Sequence, residues 1–130
     1  MNWNYISGFF DADGSIQLNK IHKNQLPSPV ITFHNNEKEL LISIRDYILY
    51  ELDITGSLVV KRKDGYRDQF ELRYTYFTKV LSILQKMRTY HPRKKKRILL
   101  VQEYSLLSRR NGKYTPKELA AIEKLLKQWE

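Results

Sequence analysis

Residues Ile6 to Gly14 read Ile-Ser-Gly-Phe-Phe-Asp-Ala-Asp-Gly, and this stretch decides how the rest of the chain is read. Ile6, Phe9 and Phe10 are the apolar positions of a helix predicted over Trp3 to Asp11. Two carboxylates, Asp11 and Asp13, stand at its end, and Gly14 releases the backbone into a strand. An acid at a helix C-terminus is electrostatically unfavourable, because the last carbonyls carry partial negative charge. A capping or functional role therefore fits Asp11 better than chance placement. Gly8 and Ala12 lie four apart on one face, a spacing at which small residues let two helices approach closely.

Around this motif the chain is strongly basic. Lys and Arg total 23 against 14 Asp and Glu, a net charge of +9 in 130 residues, with a pI near 9.7. That balance points to a polyanionic partner, nucleic acid or an anionic membrane surface. The membrane reading is weak, since no apolar run approaches the ~20 residues of a spanning helix. No N-terminal signal is visible, so an intracellular location of open compartment is expected. Cysteine is absent, which excludes disulfides and thiolate metal sites. Any catalytic metal must use oxygen or imidazole, and oxygen ligands favour Mg, Mn or Ca. No small-molecule cofactor is expected. Asp11 to Gly14 is not an EF-hand loop, because the glycine comes too early and the twelfth position holds His22. His22, His34 and His91 show no metal-ligand spacing; His34 reads as a sheet-face residue and His91 as a helix break.

Strands are predicted over Ser15 to Lys23 and Val30 to Asn35, with a turn at Asn24 to Ser28. Ile16, Leu18, Ile31 and Phe33 point inward. Asn36, with Glu39 three residues on, predicts a capped helix carrying Leu40, Leu41, Ile44, Ile48 and Leu52. Leu58 to Lys63 and Arg67 to Tyr74 form a hairpin about Asp64-Gly65. Leu58, Val60, Phe70, Leu72 and Tyr74 face inward; Val59 is an apolar exception on the outward face. Helices follow at Tyr76 to Arg88, at Arg93 to Ser108 (with Leu99, Leu100, Tyr104 and Leu107) and from Thr115, whose Pro116 and Glu118 complete a start signal. Asn111-Gly112 is the turn before that last helix, whose apolar face is Leu119, Ile122, Leu125, Leu126 and Trp129. The result is one α+β domain over residues 1–130, a four-stranded antiparallel sheet with helices on one face. The open face would carry Ser15, Gln17, Asn19, Lys61, Lys63, Arg67, Gln69, Glu71 and Arg73. Such a face suits the DNA major groove, where Arg and Lys pair with guanine, Gln and Asn with adenine, and Glu with cytosine. Tyr66, in the hairpin turn, could also contact DNA.

Ile6 to Gly14 resembles the LAGLIDADG signature of homing endonucleases: Gly8, Asp11, Ala12, Asp13 and Gly14 are identical, and Ser7 keeps the small size of its position. The element order also resembles the family's αββαββα core, here with additional C-terminal helices. The resemblance implies a saddle-shaped, DNA-binding sheet. With one motif and half the length of a fused two-motif protein, it implies a homodimer on a roughly palindromic site. Ser7, Gly8, Asp11 and Ala12 would line the dimer interface, and Phe9 and Phe10 would anchor each motif helix in its own core. Asp13 would be the essential metal ligand, with the Ala12 carbonyl a second, and Asp11 would orient the helix end. Asn36 or Glu37 would hold water or metal, and Lys94 or Lys95 would stabilise the phosphorane charge. Mg2+ is the implied metal, with Mn2+ or Ca2+ as substitutes. Cleavage across the minor groove with short 3′ overhangs is also implied. A nuclease-inactive binder (an intron RNA maturase or a DNA-binding regulator) is the alternative. A general nucleic-acid protein would explain the charge but not the paired acids.

Overall fold

The computed structural model describes residues 1–20, 26–62, 65, 67–108 and 113–129. Its first helix, α1 (Trp3–Asp13), runs two residues further than the periodicity predicts, so both motif acids lie in its last turn. Asn2 caps the start, its side-chain oxygen accepting the Tyr5 N–H at 2.8 Å. At the other end the Gly14 N–H donates to the Phe10 carbonyl, and the chain passes at once into β1 (Gly14–Asn19). Space rather than backbone conformation requires glycine here. Its φ of −98° suits any residue, but a Cβ would lie 2.4 Å from Phe10 Cδ1 and 2.7 Å from the Phe10 carbonyl oxygen. Gly14→Ala is expected to cost about 1–3 kcal/mol of stability, as overpacking substitutions do. Denaturant unfolding measures this, and an unchanged midpoint would contradict the crowding.

The remaining elements are β2 (Ser28–Asn35), α2 (Lys38–Leu52), β3 (Ser57–Lys61), β4 (Gln69–Tyr74), α3 (Phe77–Lys86), α4 (Pro92–Leu107) and α5 (Pro116–Leu126). The four strands form one antiparallel sheet in the order β1-β2-β4-β3, and the expected α+β order holds. Ile16, Ile31, Phe33, Leu72 and Tyr74 bury one sheet face against Ile6 and Phe10 of α1, Leu41, Ile44 and Ile48 of α2, and Val80, Ile83 and Leu84 of α3. Phe33 is the hub: the Phe10 and Tyr74 rings meet it edge-on at 5.7 and 6.3 Å, and Phe9 at 6.1 Å. A second cluster joins Leu100 and Tyr104 of α4 to Ile122 and Leu125 of α5. It reaches the outer end of the first hairpin through Leu18 and Leu26, and Tyr104 donates to the Pro27 carbonyl at 2.7 Å.

Local signals differ from expectation at a few points. Thr115 and Glu118 form the predicted capping box of α5. Asn36 does not cap α2: the N-cap is Glu37, with no side-chain cap bond, and the Asn35 side chain takes the Glu37 N–H at 2.8 Å. The competing Asx turn one residue earlier explains the shift. The third helix is two residues shorter at its C-terminal end, stopping at Lys86. Leu99 is 60% exposed rather than core; Ile98, Leu100, Val101 and Tyr104 are the buried positions of α4. Val60, although on the inner face, stays 43% exposed on edge strand β3. Gly65 takes the φ of +80° that a tight hairpin turn needs. Lys63, Asp64, Tyr66, His22, Asn24 and the Asn111-Gly112 turn lie outside the described residues. Among the described residues, no helix is long and apolar enough to cross a membrane.

Candidate functional site

The end of α1 is held by an extended link between α3 and α4. The Arg88 N–H donates to Ser7 Oγ at 2.9 Å, and the Tyr90 N–H to Asp11 Oδ2 at 2.8 Å. The two spacings match: four helical residues rise about 6 Å, and two extended residues span about 6.6 Å. Ser7 also donates to the Trp3 carbonyl at 2.7 Å and is 5% exposed. Ser7, expected at a dimer interface, is therefore turned into its own chain, and its hydroxyl is fully used there. Asp11 is likewise turned toward the link, with its second oxygen buried and without a hydrogen-bond partner among the described residues. The outward face of α1 carries Asn4, Tyr5, Gly8 and Ala12, all exposed, with the two small residues nearest the tip. A Cβ added at Gly8 meets nothing within 4 Å.

The same link fixes which lysine of the basic run reaches the motif. His91 caps α4, with Pro92 in its first turn. One residue pair later, Lys94 Nζ donates to the carbonyls of Phe10 at 2.7 Å and Asp11 at 2.9 Å. A cation over the last carbonyls of a helix opposes the negative end of its dipole. Burial pushes the Lys94 ammonium below the usual lysine range, against the pull of the Asp11 and Asp13 carboxylates. Lys95, the other lysine singled out, is exposed.

Asp13 is exposed at the tip of α1, and helix geometry aims the Ala12 carbonyl past the same end. Because Gly14 pairs with Phe33, the antiparallel register carries the chain after Phe33 back alongside Asp13. The exposed Asn36 and Glu37 follow directly from there. Among the described residues, no group of three or more His, Asp or Glu side chains could hold a metal. One carboxylate and one carbonyl are hard oxygen donors that suit Mg2+, yet fall short of its octahedral set. The donor chemistry suits such an ion, whose remaining positions would need oxygen ligands from outside this pair.

The open sheet face carries the other candidates. Gln17, Asn19, Lys61, Arg67 and Gln69 are exposed, Ser15 and Arg73 half-buried. Lys63 lies outside the described residues. Glu71 behaves differently: it is 3% exposed, beneath the Arg73 guanidinium at 2.7 Å and the Lys61 ammonium at 3.2 Å. His34 Nε2 stands 3.6 Å from it and 2.9 Å from Thr32 Oγ1, which in turn bonds Ser15 Oγ. Burial lowers the His34 pKa, although Glu71 pulls it upward. Sequence reasoning did not foresee Thr32 in this network, since a threonine in a strand carries no signal of its cross-strand partner.

The family model of LAGLIDADG-like domains matches residues 2–106. No curated protein matches the chain. Among solved structures, the archaeal intron-encoded homing endonuclease I-Vdi141I, complexed with DNA, superposes with a TM-score of 0.67 at 21% identity, over 96% of this chain and 79% of that one. The homing endonuclease I-TnaI gives 0.67 at 17%, over 100% and 90%. The K262A mutant of I-SmaMI gives 0.71 at 20%, over 96% of this chain but 43% of that one. The chain thus spans most of the first two and under half of the third. At these identities the superpositions establish the fold.

Proposed function

The chain belongs to the family of LAGLIDADG-like domains, and from that premise we propose that it is a site-specific homing endonuclease. It hydrolyses phosphodiester bonds of double-stranded DNA as a homodimer, on a long, roughly palindromic site. The observation that carries this reading is Asp13, an exposed carboxylate at the tip of a helix whose outer face is open at Gly8 and Ala12. Two copies packed through Gly8 and Ala12 bring their two Asp13 carboxylates together. Uncompensated, such a pair repels strongly; bound divalent cations would offset that charge and the charge of the phosphodiester.

Bound Mg2+ supplies an activated water and a stabilised leaving oxygen. The protein does the rest. Asp13 and the Ala12 carbonyl hold the ion, and Asn36 or Glu37 orients the attacking water. Lys94, desolvated beside the motif, stabilises the phosphorane charge, and the open sheet face holds the duplex through Gln17, Asn19, Lys61, Gln69 and Arg73. The chain acts as one domain, a reading that α4 supports among the described residues by contributing Ile98 and Val101 to one core cluster and Leu100 and Tyr104 to the other. A nuclease-inactive binder would use the same sheet face but leaves the exposed Asp13 without a task.

A supercoiled plasmid library carrying random inserts tests the reading. Linear product from a subset of inserts, in Mg2+ and not in EDTA, supports it; tight binding with no cleavage of any insert in Mg2+ or Mn2+ favours the binder. On a cleaved insert, Lys94→Met is expected to lower the single-turnover rate about 100-fold, as loss of one transition-state donor does. Lys95→Met is expected to change it little. Equal losses in the two variants would contradict the assignment of Lys94.

A further inference from the structure

A buried carboxylate at the centre of a DNA-facing surface needs a reason. Glu71 adds negative charge where phosphates approach, and an unpaired buried carboxylate is costly. Here three side chains from three strands converge on it. Arg73 of β4 donates Nη2 to Oε2 at 2.7 Å, Lys61 of β3 reaches Oε1 at 3.2 Å, and His34 of β2 stands 3.6 Å from Oε1. The strand register makes this convergence: Glu71 is paired with His34 on one side and with Val59 on the other, where Lys61 follows two residues on. The chain of contacts continues from His34 through Thr32 to Ser15 of β1, two residues past Asp13. It therefore crosses all four strands. Arg73 and Lys61 keep roughly half of their side-chain surface exposed (42% and 53%) while Glu71 beneath them is covered. Arginine and lysine on a free surface sample many rotamers, and fixing them on binding costs affinity and blurs selectivity. Here their heads are already tied to one point.

We infer that Glu71 is a specificity-positioning residue: it does not read a base itself, but fixes Arg73 and Lys61 as one preorganised donor cluster over a common stretch of base pairs. This rests on the reading of the sheet as a sequence-specific DNA surface. It also separates Glu71 from the neighbouring polar residues of the same face, which are free to contact bases directly.

The test is a base-pair-resolved binding profile in Ca2+, measured for the wild-type protein, Glu71→Gln and Glu71→Ala on a library derived from the protein's selected site. Discrimination is expected to fall about tenfold in Glu71→Ala, within the worth of one good base contact, at one patch in each half-site. Preference elsewhere is expected to persist. Affinity for random DNA should not fall, because a negative charge is removed from a phosphate-binding face. Glu71→Gln, which keeps an acceptor and the volume, should lose less. Should Glu71→Ala fail to fold, Glu71→Gln in an Arg73→Ala, Lys61→Ala background carries the test. There it should add no further loss at that patch, since the residues it positions are gone. A uniform loss across the site, an additive loss in that background, or no change would overturn the inference. A wild-type profile with no preference at any position would instead overturn the reading of the sheet.

Discussion

Asp13→Asn is expected to abolish cleavage while leaving DNA affinity nearly intact. The amide has the same size and stays at the exposed tip of α1, so the fold has no reason to change. It loses the negative charge that holds a hard cation. Losing several kcal/mol of metal-derived stabilisation corresponds to roughly a thousandfold or more in rate. Single-turnover cleavage in Mg2+ and binding in Ca2+ separate the two effects. Because two like charges are removed from the dyad, the variant dimer should bind DNA without metal as well as the wild type or better. The parallel change Asp11→Asn should behave differently. Asp11 Oδ2 accepts the Tyr90 N–H, a bond that the amide oxygen keeps without the charge, so the change registers mainly as a modest loss of stability. If Asp13→Asn cuts at the wild-type rate, Asp13 holds no catalytic metal.

Gly8→Leu carries the second large effect, because it acts with opposite sign on the monomer and on the dimer. Within one chain a Cβ at Gly8 meets nothing within 4 Å, and the position is helical and exposed. Replacing a mid-helix glycine with a good helix former should raise the stability of the isolated chain by about 0.5–1 kcal/mol. Between two α1 helices packed closely through Gly8 and Ala12, the added side chain forces the backbones apart. Sedimentation should show the dimer constant weakened at least about 100-fold, a loss of about 3 kcal/mol, with cleavage lost in proportion. A Gly8→Leu protein that remains dimeric and active would place the partner on some other surface.

Much of this was legible in the sequence because the signals are local. The motif helix and its release at Gly14 follow from apolar spacing and one glycine. The capping box at Thr115 and the turn at Gly65 follow from residues within four positions of each other. What escaped depends on residues far apart in the chain. Asn36 carries the cap signal for α2, but the Asx turn of Asn35 onto the Glu37 N–H moves the helix start to Glu37. Ile98 to Val101 is an unbroken apolar run, in which periodicity cannot tell that Leu99 alone points outward. Lys94 rather than Lys95 reaches the motif because the link before α4 bonds Ser7 and Asp11, some eighty residues earlier. Ser7 is turned inward for the same reason, so the small residue of the motif that looked like a dimer contact is a buried hydrogen-bonding one. Glu71 alternates in its strand like an exposed residue, and only cations from β3 and β4 and the imidazole of β2 bury it.

In the proposed enzyme, the active site is assembled from two copies of Asp13 about a dyad. Sequencing both ends of every fragment cut from a fully randomised duplex pool tests it most directly. Half-sites related by two-fold symmetry are expected, with the two strands cut at positions symmetric about the dyad and leaving short 3′ overhangs. Recovered sites with no symmetry between their halves, or cuts placed asymmetrically about the centre, would contradict it.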